Sequence, residues 1–263
     1  LLRFGRRRRQ MFIRVRFTTL RNLGLFVKTG GYMLDLALAE AIEAGWVDGP
    51  RIIPAGHAIC PTGGHLDPSA QANVAPYMMP MSVEEGIANG VDEVRRAVRY
   101  QIRHGAKLIK CCASGGVISA TGPAGAQQYS TEELTVIADE AHRRGLKVAT
   151  HCHGDTAVNA AMDAGIDCIE HGFMITAPTI QRMVDTGTFL VSTNALTENW
   201  DVSRHPPALQ AKAAEVFAVL ADVPKSASHF PKVHSLTDLG DGAYQWDMEK
   251  VGTEHINIHT VYA

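Results

Sequence analysis

"STEELTVIADEAHRRGLKVATHCHGDTAVNAAMDAGIDCIEHG", residues 130–172, decides the architecture of this chain. Ser130 and Glu133 have the spacing of a capping box and Gly145 stands where a helix would end, so 130–145 reads as a helix. "LKVATHCHG" (146–154) reads as a strand, "DTAVNAAMDAG" (155–165) as a helix and "DCIEHG" (167–172) as a strand. Helix followed by strand, twice over, is the rhythm of a parallel sheet covered by helices.

The rhythm continues in both directions. Downstream come a helix over 176–187, a strand "FLVST" (189–193) and a helix over 206–222. Upstream, a helix over 91–105 carries Val91, Val94, Val98 and Ile102 on one stripe and leads into the strand "AKLIKCCAS" (106–114). Before it lie "RIIPAG" (51–56), a helix over 32–45 with Leu34, Leu38, Ala41 and Ile42 on one side, and "FTTLRNLG" (17–24). The Gly- and Pro-rich loop 57–90 is long enough to be functional. No GxGxxG follows the first strand, which argues against a dinucleotide-binding sheet. The expectation is an α/β fold, a TIM-type (β/α)8 barrel, for which 263 residues suffice since such barrels run to about 250.

Composition removes several classes. A net charge of −2 gives no basic face for nucleic acid, and no apolar run suits a membrane span. Five cysteines at 60, 111, 112, 152 and 168 lack CxxC spacing, so a reducing, cytoplasmic setting is expected. The first 16 residues hold seven arginines, and no acid occurs before Asp35. Residues 1–16 read as a remodelled basic segment, an acid-free transit segment or a solvated basic face. The barrel core is assigned to 17–225, and 226–263, where the alternation fails, to an irregular tail with a weak strand candidate at 233–238.

In a β/α barrel the chemistry sits at the carboxyl ends of the strands. Those ends carry Lys110, then His151 and His153, then Glu170 and His171. Alternation points His151 and His153 into the barrel and Cys152 toward the helices. A lone lysine there could snorkel or pair with an acid, and any one histidine could be a packed core residue. Their arrival in strand order at one rim instead suggests ion coordination.

"FTTLRNLG", "GPRIIPAGHAICPTGGHLD", "GVDEVRRAVRYQIRHGAKLIKCCASGGVIS", "THCHG" and "CIEHG" together resemble the metal-dependent amidohydrolase superfamily, in its Xaa-Pro-dipeptidase-like, imidazolonepropionase-like and ochratoxinase-like branch. The resemblance spans roughly residues 17–220. It implies that Lys110 is carboxylated by CO₂ to a carbamate, whose two oxygens hold divalent metal, most suitably Zn²⁺. It further implies His151 and His171 as metal ligands, His153 as a substrate or supporting contact, and His65 as the group that polarises the scissile carbonyl. Asp238, in "LTD", matches the aspartate that binds metal and shuttles a proton, although Leu236 stands where glycine is expected. The implied reaction is hydrolysis of an amide bond in a small-molecule amide or dipeptide by metal-activated water.

The departures are as informative. The family's first strand ends in a His-x-His that binds metal, whereas the only such motif here, His151–His153, belongs to a later strand. The barrel is therefore expected to be incomplete, lacking its first strand, with open edges that favour a homo-oligomer. A catalytically inactive partial barrel is the competing reading. A Schiff-base role for Lys110 would leave the strand-end histidines without a task.

Overall fold

The computed structural model describes residues 18–24, 33–70, 81–119, 122–193, 201–221, 233–240, 243–248 and 257–261. Among these, six parallel strands follow chain order: β1 (Thr19–Asn22), β2 (Arg51–Pro54), β3 (Ile109–Cys112), β4 (Val148–Gly154), β5 (Cys168–Met174) and β6 (Phe189–Val191). β1 pairs with β2, and β3 to β6 pair as successive neighbours. Between the two groups, Lys107 N–H donates to Pro54 O (2.8 Å), Ile59 N–H to Lys110 O (2.8 Å) and Cys112 N–H to Ile59 O (3.0 Å). The sheet curls far enough for Arg21 on β1 to meet Glu170 on β5 at 3.0 Å. The result is a partial α/β barrel.

Among the described residues six helices cover it: α1 (Leu34–Glu43), α2 (Gly90–Arg103), α3 (Thr131–His142), α4 (Asp155–Asp163), α5 (Ala177–Thr186) and α6 (Pro207–Ala221). The expected capping box is formed, with Ser130 Oγ accepting from Glu133 N–H and the Glu133 carboxylate accepting from Ser130 N–H. On α2, Val94 and Val98 are fully buried, as the stripe requires. On α1 the expected face is corrected, because Leu34 and Leu38 are exposed while Asp35 and Leu36 are buried. The reason is polar: Asp35 accepts hydrogen bonds from Gly56 N–H and Leu36 N–H, so the helix turns its acid inward to hold the end of β2.

The period of two along the strands divides the packing. Ile109, Cys111, Val148, Cys152 and Ile169 face outward against Val94, Val98, Leu134, Ile137 and Val158 of the helices. Full burial of each such aliphatic side chain contributes about 1.5–3 kcal/mol. Leu108, Ala149 and Cys168 face inward with Ala55, Leu23 and Ile53. That inner layer leaves a cavity of about 400 Å³ bounded by Ile53, Leu108, Ala149 and Leu190. Among the described residues, this cavity lies at the amino-terminal mouth of the strands. On β6, Phe189, Leu190 and Val191 are all exposed.

The tail is a second correction. Instead of being irregular, it carries β7 (Val233–Gly240), β8 (Ala243–Met248) and β9 (Asn257–Val261), an antiparallel sheet in chain order. The dipeptide Asp241-Gly242 between its first two strands is a strong two-residue hairpin signal, one that a reading tuned to helix–strand alternation passes over. The arginine-rich residues 1–16 lie outside the described residues. Among the described residues no helix is long and apolar enough to cross a membrane.

Candidate metal centre

The inward set of the strands builds the site. Above Leu108, Ala149 and Cys168 the next inward residues are Lys110, His151 and Glu170, with Cys112 paired to His151 and His151 paired to Glu170 across the ladder. Lys110 is 4 % exposed and has no ion-pair partner among the described residues. Burial pushes its amine down from the ordinary lysine value, against the pull of Cys112 and Glu170. Such an amine is shifted toward the neutral form, the only form that can attack CO₂.

Four imidazoles gather beside it. The His65 ring stacks on His151 at 3.9 Å, and His151 lies 4.7 Å from His153 and 4.8 Å from His171, centroid to centroid. Burial drives His65 and His171 down to about 3 and His153 to about 4, with Lys110 and neighbouring imidazoles adding to the effect. His151, wholly enclosed, is pushed well below its ordinary value for the same reason. At neutral pH all four rings are neutral, the state in which a histidine nitrogen can ligate a cation.

Hydrogen bonds orient two of these rings. His151 Nε2 lies 3.0 Å from Gly115 O. A carbonyl only accepts, so Nε2 carries the proton and Nδ1 keeps a lone pair. His171 Nδ1 lies 2.6 Å from Thr193 Oγ1, a hydroxyl that can accept from or donate to the ring; in the tautomer that donates, the Nε2 lone pair is free. Such outer contacts are what fix a ligating histidine.

The presence of both Glu170 and His171 inside the barrel contradicts simple alternation, which sends neighbours to opposite faces. The backbone resolves it. His171 has φ +75° and the β4–β5 register shifts between Cys152 and Gly154. Positive φ is costly for a residue with a Cβ, and here it swings the imidazole to the side where His151 and His153 stand. Thr193, its hydrogen-bond partner, also has positive φ, +54°.

His65 is held by Gln128 Oε1 accepting from its amide at 3.0 Å and by Ser119 Oγ at 2.7 Å from Nδ1. His153 is buried, and among the described residues its Nδ1 has no hydrogen-bond partner. Glu170 takes Arg21 on Oε1, while its Oε2 has no hydrogen-bond partner among the described residues. Asp238 falls on β7, which pairs antiparallel with β8, and its side chain lies outside the described residues. The structure thus gathers Lys110, His65, His151, His153 and His171.

The donors fit a divalent ion in kind: neutral imidazoles with oriented lone pairs, and a buried amine suited to carbamate formation. Their arrangement is that of stacked rings, however, and among the described residues no three His, Cys, Asp or Glu side chains form a ready ion cradle. Sequence reasoning missed Ser119, Thr193 and the Arg21–Glu170 pair. The glycine run "SGGVIS" (114–119) was the available signal for the first, since glycines beside a strand end mark close backbone approach.

The chain matches the amidohydrolase family over residues 16–238. It is 39% identical to ochratoxinase from Aspergillus niger over 171 residues, 61% of this chain and 36% of that protein. Among solved structures it is similar to a Xaa-Pro dipeptidase with bound methionine in its active site (TM-score 0.70, 32% identity, covering 79% of this chain and 51% of that one). It is also similar to A. niger ochratoxinase (TM-score 0.68, 33% identity, 81% and 49%). The chain spans about half the length of these solved relatives and about a third of the curated one.

Proposed function

Because the chain belongs to the amidohydrolase family, we propose that it is a metal-dependent hydrolase of amide bonds next to a carboxylate, as in dipeptides and N-acyl amino acids. The observation that carries this reading is the convergence of a buried Lys110, without an ion-pair partner among the described residues, with four imidazoles at one mouth of the parallel strands.

Lys110, as a carbamate, His151 through Nδ1 and His171 through Nε2 would hold a divalent ion, most suitably Zn²⁺, with Asp238 as a further ligand. When bound, such an ion supplies Lewis acidity that lowers the pKa of water to about 7 and polarises a carbonyl. The chain's residues do the rest. His65 donates a hydrogen bond to the scissile carbonyl oxygen as charge develops there. His153, with an unsatisfied Nδ1, contacts the substrate. Asp238 passes a proton to the leaving amine. Enclosure of the histidines excludes bulk water and strengthens each of these interactions.

The names of the relatives support this substrate class, since one solved relative is a Xaa-Pro dipeptidase and another an ochratoxinase. The test is metal analysis of the purified chain together with hydrolysis of Xaa-Pro dipeptides and N-acyl amino acids, with and without chelator. Zinc at near-stoichiometric level, and loss of both metal and activity in Lys110→Ala, are expected. Absence of any ion, with Lys110→Ala indistinguishable from the parent, would sink the reading.

One observation favours a second reading, a partial barrel that binds ligand without turnover. The strand that carries Asp238 pairs antiparallel with β8, whereas the proton shuttle calls for an aspartate at the end of a barrel strand. Metal binding without hydrolysis would support it.

A further inference from the structure

We propose that Ser119 is a positioning residue that fixes the tautomer of His65, holding the imidazole proton on Nε2. The inference rests on His65 acting as the carbonyl-polarising donor and specifies how it is made one.

The geometry leaves little choice. Gly116 N–H donates to Ser119 Oγ at 2.8 Å and occupies one lone pair of the hydroxyl. Among the described residues, the other polar atom bonded to that hydroxyl is His65 Nδ1, at 2.7 Å. Were Nδ1 protonated, Ser119 Oγ would accept twice and its own buried hydrogen would have no acceptor. The hydroxyl therefore donates to Nδ1, and a neutral imidazole then carries its single N–H on Nε2. A ring that accepts at Nδ1 is not the doubly protonated cation, so the geometry itself makes it neutral.

The loop that carries Ser119 is fastened from both sides. Ser119 N–H donates to Gly116 O at 3.1 Å, closing a tight turn, and Lys212 Nζ on α6 donates to Ser119 O at 2.8 Å. Gly116 is required for the approach, since a Cβ there would lie 2.3 Å from His65 Cε1. The ring is thus clamped between the Gly116 backbone and the His151 ring. Among the described residues its Nε2 has no hydrogen-bond partner, so the donor is available for substrate. The consequence is chemical. An N–H aimed at a carbonyl oxygen stabilises the negative charge that develops there, whereas a lone pair at the same place opposes it.

The experiment uses the full chain labelled with ¹⁵N-histidine at neutral pH, with His65 assigned by comparison with His65→Gln. The expected spectrum has His65 Nδ1 as an unprotonated, hydrogen-bonded nitrogen and Nε2 as the protonated one. Ser119→Ala should displace the Nδ1 resonance, and Ser119→Thr, which keeps the hydroxyl, should restore it. In turnover of a dipeptide or N-acyl amino acid, Ser119→Ala should lower kcat by about 10–100-fold with KM nearly unchanged, in line with the loss of an orienting contact. A proton on Nδ1 of the parent protein, or a His65 spectrum indifferent to Ser119→Ala, overturns the inference. The two readings separate cleanly. An inactive chain with the proton on Nε2 disproves the hydrolase and leaves the tautomer standing, while an active enzyme protonated on Nδ1 does the reverse.

Discussion

Lys110 is the residue on which the site turns, and the strand that carries it shows why a bare ammonium is a poor occupant of that place. Its neighbours along β3 are fully buried, and burial alone pulls the amine toward neutrality. The buried acid nearest in the fold, Glu170, is already committed to Arg21 on one oxygen. Breaking that pair strands a carboxylate that is 1 % exposed. Arg21→Ala should therefore cost about 2–3 kcal/mol by denaturant unfolding, toward the low end for a buried pair because the arginine itself is one-third exposed. Lys110, His151, His153 and His171 were legible as candidates from sequence because they fall on three successive strands of a repeating pattern. Ser119 and Thr193 were not, because a hydroxyl contact across the fold leaves no periodic trace.

At the scale of elements, the helices obey local rules and the strand ends break them. Glu133 serves two helices at once: its carboxylate accepts from Ser130 N–H at the start of α3 and from Gly90 N–H at the start of α2, both at 2.8 Å. Ser130→Ala should lose about 1 kcal/mol, the ordinary worth of a cap. Glu133→Ala should lose about 2 kcal/mol, because amides at two helix starts are released. Thermal melts of the two variants side by side would show the difference. β5 is the exception. Read as a plain strand it would send His171 away from His151, and only the positive φ at His171 brings it back. Strain of this kind is invisible to a reading by period, which is why strand existence was legible and the backbone turn at His171 was not.

For the whole molecule, alternation revealed the parallel strands and their helices, while a change of rule after residue 226 hid the antiparallel sheet. The buried histidines set how the protein responds to acid. His65, His153 and His171 have folded values of about 3 to 4, below the unfolded value near 6.5. Below 6.5 the unfolded chain takes up protons that the folded chain refuses, so stability is full above about 6.5 and falls progressively toward pH 4. The metal-free protein should show this as a melting temperature that drops steadily from pH 7 to pH 4. Replacing His153 with Gln should flatten the profile, and a melting temperature that is level across that range would contradict the folded-state values.

The ladder also has a direction. β3, with Lys110, is bonded on both flanks, to the segment around Ile59 and to β4, whereas β6 is the outermost parallel strand and bares all three of its side chains. Opening should begin at the bare flank and travel inward, so deuterium should enter the amides of Phe189–Val191 early and those of Ile109–Cys112 among the last. Lys110 would then keep its surroundings through fluctuations that undo the rim beside it.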